Sequence, residues 1–368
     1  MKKTILIANR GEIAIRLIRA VQELGYNAVA VYETPDELSR HIRIADQAVW
    51  LGPGPRCDYL NIGKIIKVAK QVKADAIHPG YGFLAENPFF AKACEQSGIQ
   101  FIGPSSEIIS NLGNKVIARQ IMADAGIPMV PGTPNLSQGK DGLDEALAFA
   151  SKFDYPIMLK ATSGGGGRGI RRIETDQDME EQIPVARAEA LAAFNDDSVY
   201  LEKVVINPKH VEVQILADAS GNTVHLGTRD CSIQRRNQKL IEIAPSMIQN
   251  TELLDEICDT AVKAAKASNY LNAGTVEFLI DAEQNFYFME INTRVQVEHT
   301  VTEMITGIDI VRNQINIAFG NNLSFTQEDV LIRGHAIEVR INAEDPRNGF
   351  MPEGGKKVAV YRSTGGFG

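Results

Sequence analysis

The stretch Glu290-Ile291-Asn292-Thr293-Arg294-Val295-Gln296-Val297-Glu298 decides how this 368-residue chain is read. Every even position is polar, while Ile291, Val295 and Val297 are apolar. Side chains on an extended strand alternate faces, so an extended segment sets two acids, two amides and a guanidinium along one line. Such a line is ordinarily the solvated face of a two-sided sheet. The flanks argue against that. Phe286-Tyr287-Phe288-Met289 is strongly apolar, and Glu277 is the lone charge in Gly274-Thr275-Val276-Glu277-Phe278-Leu279-Ile280. A turn at 281–285 can join the two runs as a hairpin, and simple register then puts Glu277 opposite Glu290. Carboxylates facing one another in an apolar sheet repel and shift their pKa values unless a cation sits between them. Magnesium carrying a nucleotide suits the place, since it takes carboxylate and phosphate oxygens together.

Three further clusters bear on the chemistry. Lys160-Ala161-Thr162-Ser163-Gly164-Gly165-Gly166-Gly167-Arg168-Gly169 follows the apolar strand at 157–159. Glycines let backbone N–H groups approach a phosphate, and Lys160 ends the strand pointing at the same charge. The run is neither GxGxxG nor GxxxxGK[ST], and taken alone it also reads as a flexible linker. The segment 229–239 carries Arg229, Arg235, Arg236 and Lys239 against one acid, Asp230. It reads equally as a basic surface turn or as an anion site for phosphate and carboxylate groups. Glu338-Val339-Arg340-Ile341-Asn342 alternates as well, with Arg340 available to pair an acid. His210 and His299 neighbour these clusters, although a lone histidine is more often structural. No Ser-His-Asp or Cys-His nucleophile pattern is present, so metal-assisted phosphoryl transfer is the expected chemistry.

The rest of the chain sets the frame. Strand and helix alternate from residue 4 to about 102: a strand at 4–8, a helix at 11–24 closed by Gly25, and strands at 28–32, 74–78 and 100–102. Repeated βαβ units imply a parallel sheet with ligand loops at the strand C-terminal ends, here Asn9-Arg10-Gly11-Glu12 and His78-Pro79-Gly80-Tyr81-Gly82. Pro128, Pro131, Gly132 and Pro134 mark a boundary. A small unit runs from there to about Lys203, and longer strands joined by tight turns follow from Val211. The expected domains are an N-terminal α/β unit at 1–113, a nucleotide-binding unit at 114–330 with a lid at about 132–203, and a third unit beginning at 331–368. The formal net charge of -8 disfavours nucleic acid as a partner. No apolar run is long enough for a transmembrane helix, and no cleavable signal pattern opens the chain. Cys57, Cys94, Cys231 and Cys258 form no CxxC pair, which suits reduced thiols in the cytoplasm.

Taken together, the motifs resemble the biotin carboxylases, a family of ATP-grasp fold. The resemblance rests on Asn9-Arg10-Gly11-Glu12-Ile13-Ala14, His78-Pro79-Gly80-Tyr81-Gly82-Phe83-Leu84-Ala85-Glu86-Asn87, the glycine cluster, and segments 229–239 and 290–299. Thr302-Glu303-Met304-Ile305-Thr306-Gly307 and Arg340-Ile341-Asn342-Ala343-Glu344-Asp345-Pro346 add to it, and all come in the family's order. It implies an α/β fold: a Rossmann-like parallel-sheet domain, an ATP-grasp domain with a glycine-rich lid, and the start of a C-terminal domain. The implied reaction turns ATP and bicarbonate into carboxyphosphate, whose carboxyl group passes to a biotin ureido nitrogen. By the same resemblance, Lys115, Lys160, Gly165 and Gly166 would hold phosphates. Glu202, Lys203, His210, Gln234 and Asn237 would line the nucleotide pocket. Glu277, Glu290 and Asn292 would hold magnesium or manganese, two ions in all. Lys239, Arg294, Gln296 and Val297 would bind bicarbonate or carboxyphosphate. Glu298 would be the base, and Arg340 would stabilise the biotin enolate.

Implied partners are a biotin carboxyl carrier protein and a carboxyltransferase subunit, with a homodimer expected where the C-terminal domain is complete. The carboxylase served is that of acetyl-CoA, pyruvate or 2-oxoglutarate. Family members have histidine where this chain has Asn237 and proline where it has Thr300, and they continue beyond Gly368. Two other readings stand beside this one: another ATP-grasp ligase of carbamoyl-phosphate or purine-pathway type, and a catalytically impaired nucleotide-binding paralogue.

Overall fold

The computed structural model describes residues 2–54, 58–163, 169–354, 360 and 362. The first unit runs β1 (Thr4–Ile7), α1 (Gly11–Glu23), β2 (Asn27–Glu33), α2 (Arg40–Ile44), β3 (Gln47–Gly52), α3 (Ile62–Gln71), β4 (Ala76–His78), α4 (Pro88–Gln96), β5 (Gln100–Phe101). Its five strands pair in parallel in the order β3-β2-β1-β4-β5. Strand β3 has no counterpart in the sequence reading. Only Leu51 and Gly52 are buried, and Ala48, Val49, Trp50 and Leu51 run together without the period-two alternation that marks a half-buried strand. Ile13, Ala14, Leu17, Ile18, Ala20 and Val21 of α1 are buried, and the helix packs this stripe on one face of the sheet. Gly25 follows the helix with φ +79, a conformation that glycine adopts without strain.

Helices α5 (Ser106–Gly113) and α6 (Lys115–Asp124) lead onward. Asn114 caps α6 by accepting from the N–H groups of Val116 at 3.0 Å and Ile117 at 3.1 Å, which fixes Lys115 at the helix start. A small unit follows: α7 (Gly139–Phe153), β6 (Ile157–Ala161), β7 (Ile170–Ile173), α8 (Asp176–Phe194) and β8 (Val199–Lys203). Its antiparallel sheet, β7-β6-β8, has an apolar core of its own that includes Leu136, Phe149, Ile157, Leu159, Met179 and Leu201.

The third layer is a six-stranded antiparallel sheet in the order β13-β12-β9-β10-β11-β14. It comprises β9 (Lys209–Ala217), β10 (Thr223–Arg235), β11 (Gln238–Ala244), β12 (Asn272–Ile280), β13 (Phe286–Asn292) and β14 (Ala336–Val339). Helix α9 (Thr251–Ala267) and the hydrophobic core around Val213, Ile257, Phe278 and Phe288 cover one side. Helices α10 (His299–Thr306) and α11 (Ile310–Ala318) complete the unit. Strand β14 comes from the stretch expected to open a third domain, yet it hydrogen-bonds to β11 at the edge of this sheet. Arg16 of α1 ties the first unit to this layer through Glu303 at 2.9 Å and Asp309 at 2.6 Å. Among the described residues, no helix is long and apolar enough to cross a membrane.

Candidate active site

Register builds the site. Glu290 lies opposite Glu277, Glu277 opposite Glu212, and Glu212 opposite Arg229, one row crossing β13, β12, β9 and β10. The facing of Glu277 and Glu290 read from the hairpin is therefore present. Like charges directly opposite one another destabilise a sheet, so the row requires cations. Lys239, in β11, supplies one: its Nζ donates to Glu212, to Glu277 at 2.8 Å and to Glu298 at 2.9 Å. Burial opposes charge on this lysine, but the three carboxylates outweigh it and hold its pKa well above the usual value. Arg229 supplies another. It is fully buried and pairs with Glu212, while its Nη atoms donate to Gln214 at 2.9 Å, Thr302 at 3.0 Å, Thr275 at 3.1 Å and Gln296 at 2.7 Å. The anion-site reading of segment 229–239 is thus corrected at Arg229, whose every donor is spent inside the protein. The signal missed was Glu212, an acid in a strand that is otherwise apolar over 211–217 apart from Gln214.

His210 Nε2 donates to Glu277 Oε2, 2.8 Å away, and its other ring nitrogen lies 2.7 Å from Gln234 Nε2. Burial works against a charge on His210, but Glu277 outweighs it and raises the pKa. For Glu277, burial is likewise outweighed by Lys239 and His210, and its pKa falls. Glu290 behaves in the opposite sense. Burial and the facing Glu277 raise its pKa, Lys115 and Lys239 pulling the other way from a distance. Among the described residues it has no ion pair and no side-chain hydrogen bond. A carboxylate left in this state beside a second one suits a divalent cation. Asn292 completes the expected set, its Nδ2 donating to Glu277 at 2.8 Å. Two other groupings of ligand atoms, His210–Glu212–Glu277 and Glu212–Cys231–Glu298, are knit around Lys239 and Arg229. Ammonium and guanidinium groups already neutralise those acids.

The extended reading of 290–298 needs correction. Strand β13 ends at Asn292, and the chain then turns into α10, with His299 N donating to Gln296 O at 3.3 Å. The first unit ends the strand: Glu86 accepts from Thr293 N at 3.3 Å and pairs with Arg294 at 3.0 Å. Arg294 and Glu298 therefore do not share a strand face. The turn nonetheless brings Gln296 to Glu277, at 2.9 Å, and Glu298 to Lys239. Arg294 Nη2 donates to Asn292 Oδ1 at 3.1 Å, and Val297 lies in the turn between Gln296 and Glu298. Arg340 reaches Glu298 at 2.8 Å and Glu242 at 2.7 Å, two acids from outside its own segment. His299 is structural. It is buried, its Nδ1 lies 2.8 Å from Gln296 O, and burial lowers its pKa to about 4.

The phosphate-side residues converge from a different direction. Lys160 of β6 pairs with Glu202 of β8, which Arg119 of α6 also reaches at 2.7 Å. Burial lowers the pKa of Lys115, with Glu290 opposing and Lys160 adding to the effect. Two lysines near enough to feel one another, beside a lone acid, suit a polyanion bound with a metal. Gly165 and Gly166 lie outside the described residues. Lys203 points elsewhere, its Nζ donating to Asp154 O at 3.0 Å. Arg236 and Asn237 form the two-residue turn from β10 to β11, with φ of 52 and 63. Positive φ at both positions favours asparagine, a local reason for Asn237.

Comparison with known proteins agrees. Residues 1–109 match the biotin carboxylase N-terminal domain, and residues 114–326 match the ATP-binding domain described for the carbamoyl-phosphate synthase L chain. Biotin carboxylase 1 of Bacillus subtilis is 51% identical over 370 residues, covering 100% of this chain and 81% of its own. The chain belongs to the biotin carboxylase family. It is thereby an enzyme of ATP-grasp fold and an ATP-dependent ligase. The 2-oxoglutarate carboxylase small subunit of Hydrogenobacter thermophilus is 50% identical over 368 residues, covering 100% of this chain and 77% of that one. The biotin carboxylase domain dimer of that organism's 2-oxoglutarate carboxylase, solved with MgADP, ADP and bicarbonate, superposes with a TM-score of 0.92 at 49% identity. It covers 100% of this chain and 80% of that chain. Related proteins are thus subunits or domains of biotin-dependent carboxylases.

Proposed function

We propose that this chain carboxylates biotin borne on a carrier protein, using ATP and bicarbonate, as the first half-reaction of a biotin-dependent carboxylase. The observation that carries the reading is Glu298, a buried acid held between Lys239 and Arg340 at the edge of the Glu277–Glu290 pair. An acid so placed is equipped to take a proton from an anion that the same two cations attract. Glu298 would accept the proton of bicarbonate while a bicarbonate oxygen attacks the γ-phosphorus of ATP, giving carboxyphosphate and ADP. Lys115 and Lys160 would hold the phosphates, with Gly165 and Gly166 closing over them. Glu202, Lys203, His210, Gln234 and Asn237 would line the nucleotide. Glu277, Glu290 and Asn292 would hold magnesium or manganese, which neutralises phosphate charge when bound. Lys239, Arg294, Gln296 and Val297 would hold bicarbonate. Arg340 would meet the negative charge that develops on the biotin oxygen as its nitrogen takes the carboxyl group.

The proposed units are 1–113, 114–330 with the lid at 132–203, and a third from 331. The proposed setting is the cytoplasm, with a carrier protein, a carboxyltransferase and a second copy of the chain as partners. ADP release that requires bicarbonate and is stimulated by free biotin, with carboxybiotin as product, tests the function. Bicarbonate-dependent ATP cleavage without any biotin response would assign the chain to another kind of ATP-grasp ligase.

A further inference from the structure

Arg340 is gripped from two sides. Its backbone N–H donates to Leu240 O at 2.9 Å, continuing the β11–β14 pairing beyond Val339. One Nη meets Glu298 at 2.8 Å, and Nε meets Glu242 at 2.7 Å. Glu242 lies opposite Glu338, so Arg340, two residues further along, leans over the same face of the sheet. Glu242 is fully buried, and apart from Arg340 neither of its carboxylate oxygens has a partner among the described residues. Beyond the backbone pairing of β11, its side chain makes no other polar contact among the described residues. Burial pushes its carboxyl up to about 7, with Arg340 opposing and Glu298 and Glu338 adding to the rise.

A buried acid that serves stability is ordinarily hydrogen-bonded on several sides, because desolvation is costly. Glu242 has one partner, and that partner is the residue assigned to the biotin oxygen. While Glu298 is ionised it competes for the guanidinium. Once Glu298 has taken a proton, its attraction is gone, and a long arginine side chain held at one end only would wander. Preorganised charge is effective because it need not be gathered during the reaction. We propose that Glu242 is the positioning residue for Arg340, fixing Nε so that the Nη edge turns to biotin when Glu298 lets go. The inference rests on the biotin-carboxylating function proposed above.

The test compares two rates on each variant of the full chain: carboxylation of free biotin, and bicarbonate-dependent ATP cleavage without biotin. Glu242→Leu removes the anchor at similar volume. It is expected to lower kcat/KM for biotin by at least about tenfold more than it lowers ATP cleavage, since small misplacements of a catalytic group are that costly. Glu242→Gln, which keeps an acceptor for Nε, is expected to recover most of that difference. In an Arg340→Ala background, Glu242→Leu is expected to add nothing to the loss. Equal loss of both rates, no loss of either, or an undiminished effect without Arg340 overturns the proposal. If Glu242→Leu shows no cooperative melt, Glu242→Asp decides instead: it draws the carboxylate back by one methylene and must show the same split in smaller size. A parent chain that itself fails to carboxylate biotin overturns the function as well. An active parent with an indifferent variant overturns only the anchor.

Discussion

Two buried glutamates, Glu202 in the small three-stranded sheet and Glu277 in the six-stranded sheet, each bind two basic groups, yet they are held differently. The partners of Glu277, Lys239 and His210, both come from strands of its own sheet. Its surroundings are fixed once strand register is set. Glu202 has one partner from its own sheet, Lys160, and one from outside it, Arg119 of α6. The small sheet also has its own apolar core. Charges around Glu277 therefore form a rigid floor. Those around Glu202 form a latch across a junction, where, on the proposed function, Lys160 would exchange a carboxylate for a phosphate as the small unit closes. Such closure would serve the proposed function, because carboxyphosphate hydrolyses in water.

This contrast can be broken experimentally. Glu298→Gln tests the floor most severely. Loss of a general base costs about 10²–10⁴-fold, so bicarbonate-dependent ADP release should nearly vanish while calorimetry still records ATP binding. Survival of that turnover would remove Glu298 as the base. Arg229→Met should act through folding. It strips a fully buried acid of one of its two cationic partners, and chemical denaturation should register a loss of roughly 3–5 kcal/mol. A near-neutral result would mean that Lys239 alone suffices for Glu212. Glu290→Gln should leave the fold standing and weaken magnesium–ATP binding about 10–100-fold, the range for contacts to charged groups. Glu202→Gln sharpens the comparison at its gentler end. Both partners are partly exposed and can turn to water or ligand, so the stability loss should stay well below that of Arg229→Met, with the effect falling on KM for ATP. A stability loss as large as that of Arg229→Met would show that the latch is as rigid as the floor.

Much of the fold was legible because its segments are locally consistent. The helix at 11–24 and the strand after Gly25 follow from periodicity and turn chemistry, and each lies within a few residues of its observed place. The facing of Glu277 and Glu290 was legible because a five-residue turn leaves few registers open. Less was legible where residues distant in sequence decide the outcome. Alternation at 290–298 suggests a strand throughout, but Glu86, more than two hundred positions away, binds Thr293 N and Arg294 where the strand stops. Arg229 looked like part of a basic turn because nothing near it in sequence reveals that Glu212, Gln214, Thr275, Gln296 and Thr302 enclose it.

The sequence by itself determined which residue types could do the chemistry: carboxylates set among apolar neighbours, lysines beside glycines, and arginines within alternating strands. Composition and period are local properties, and the chain carries them in order. Only the tertiary structure decided the pairings. It spent Arg229 on Glu212, left Glu290 without an ion-pair partner among the described residues, and gave Arg340 a second carboxylate in Glu242. Charge acts through space and most strongly where water is excluded, so a residue's role depends on which distant strand the sheet sets beside it.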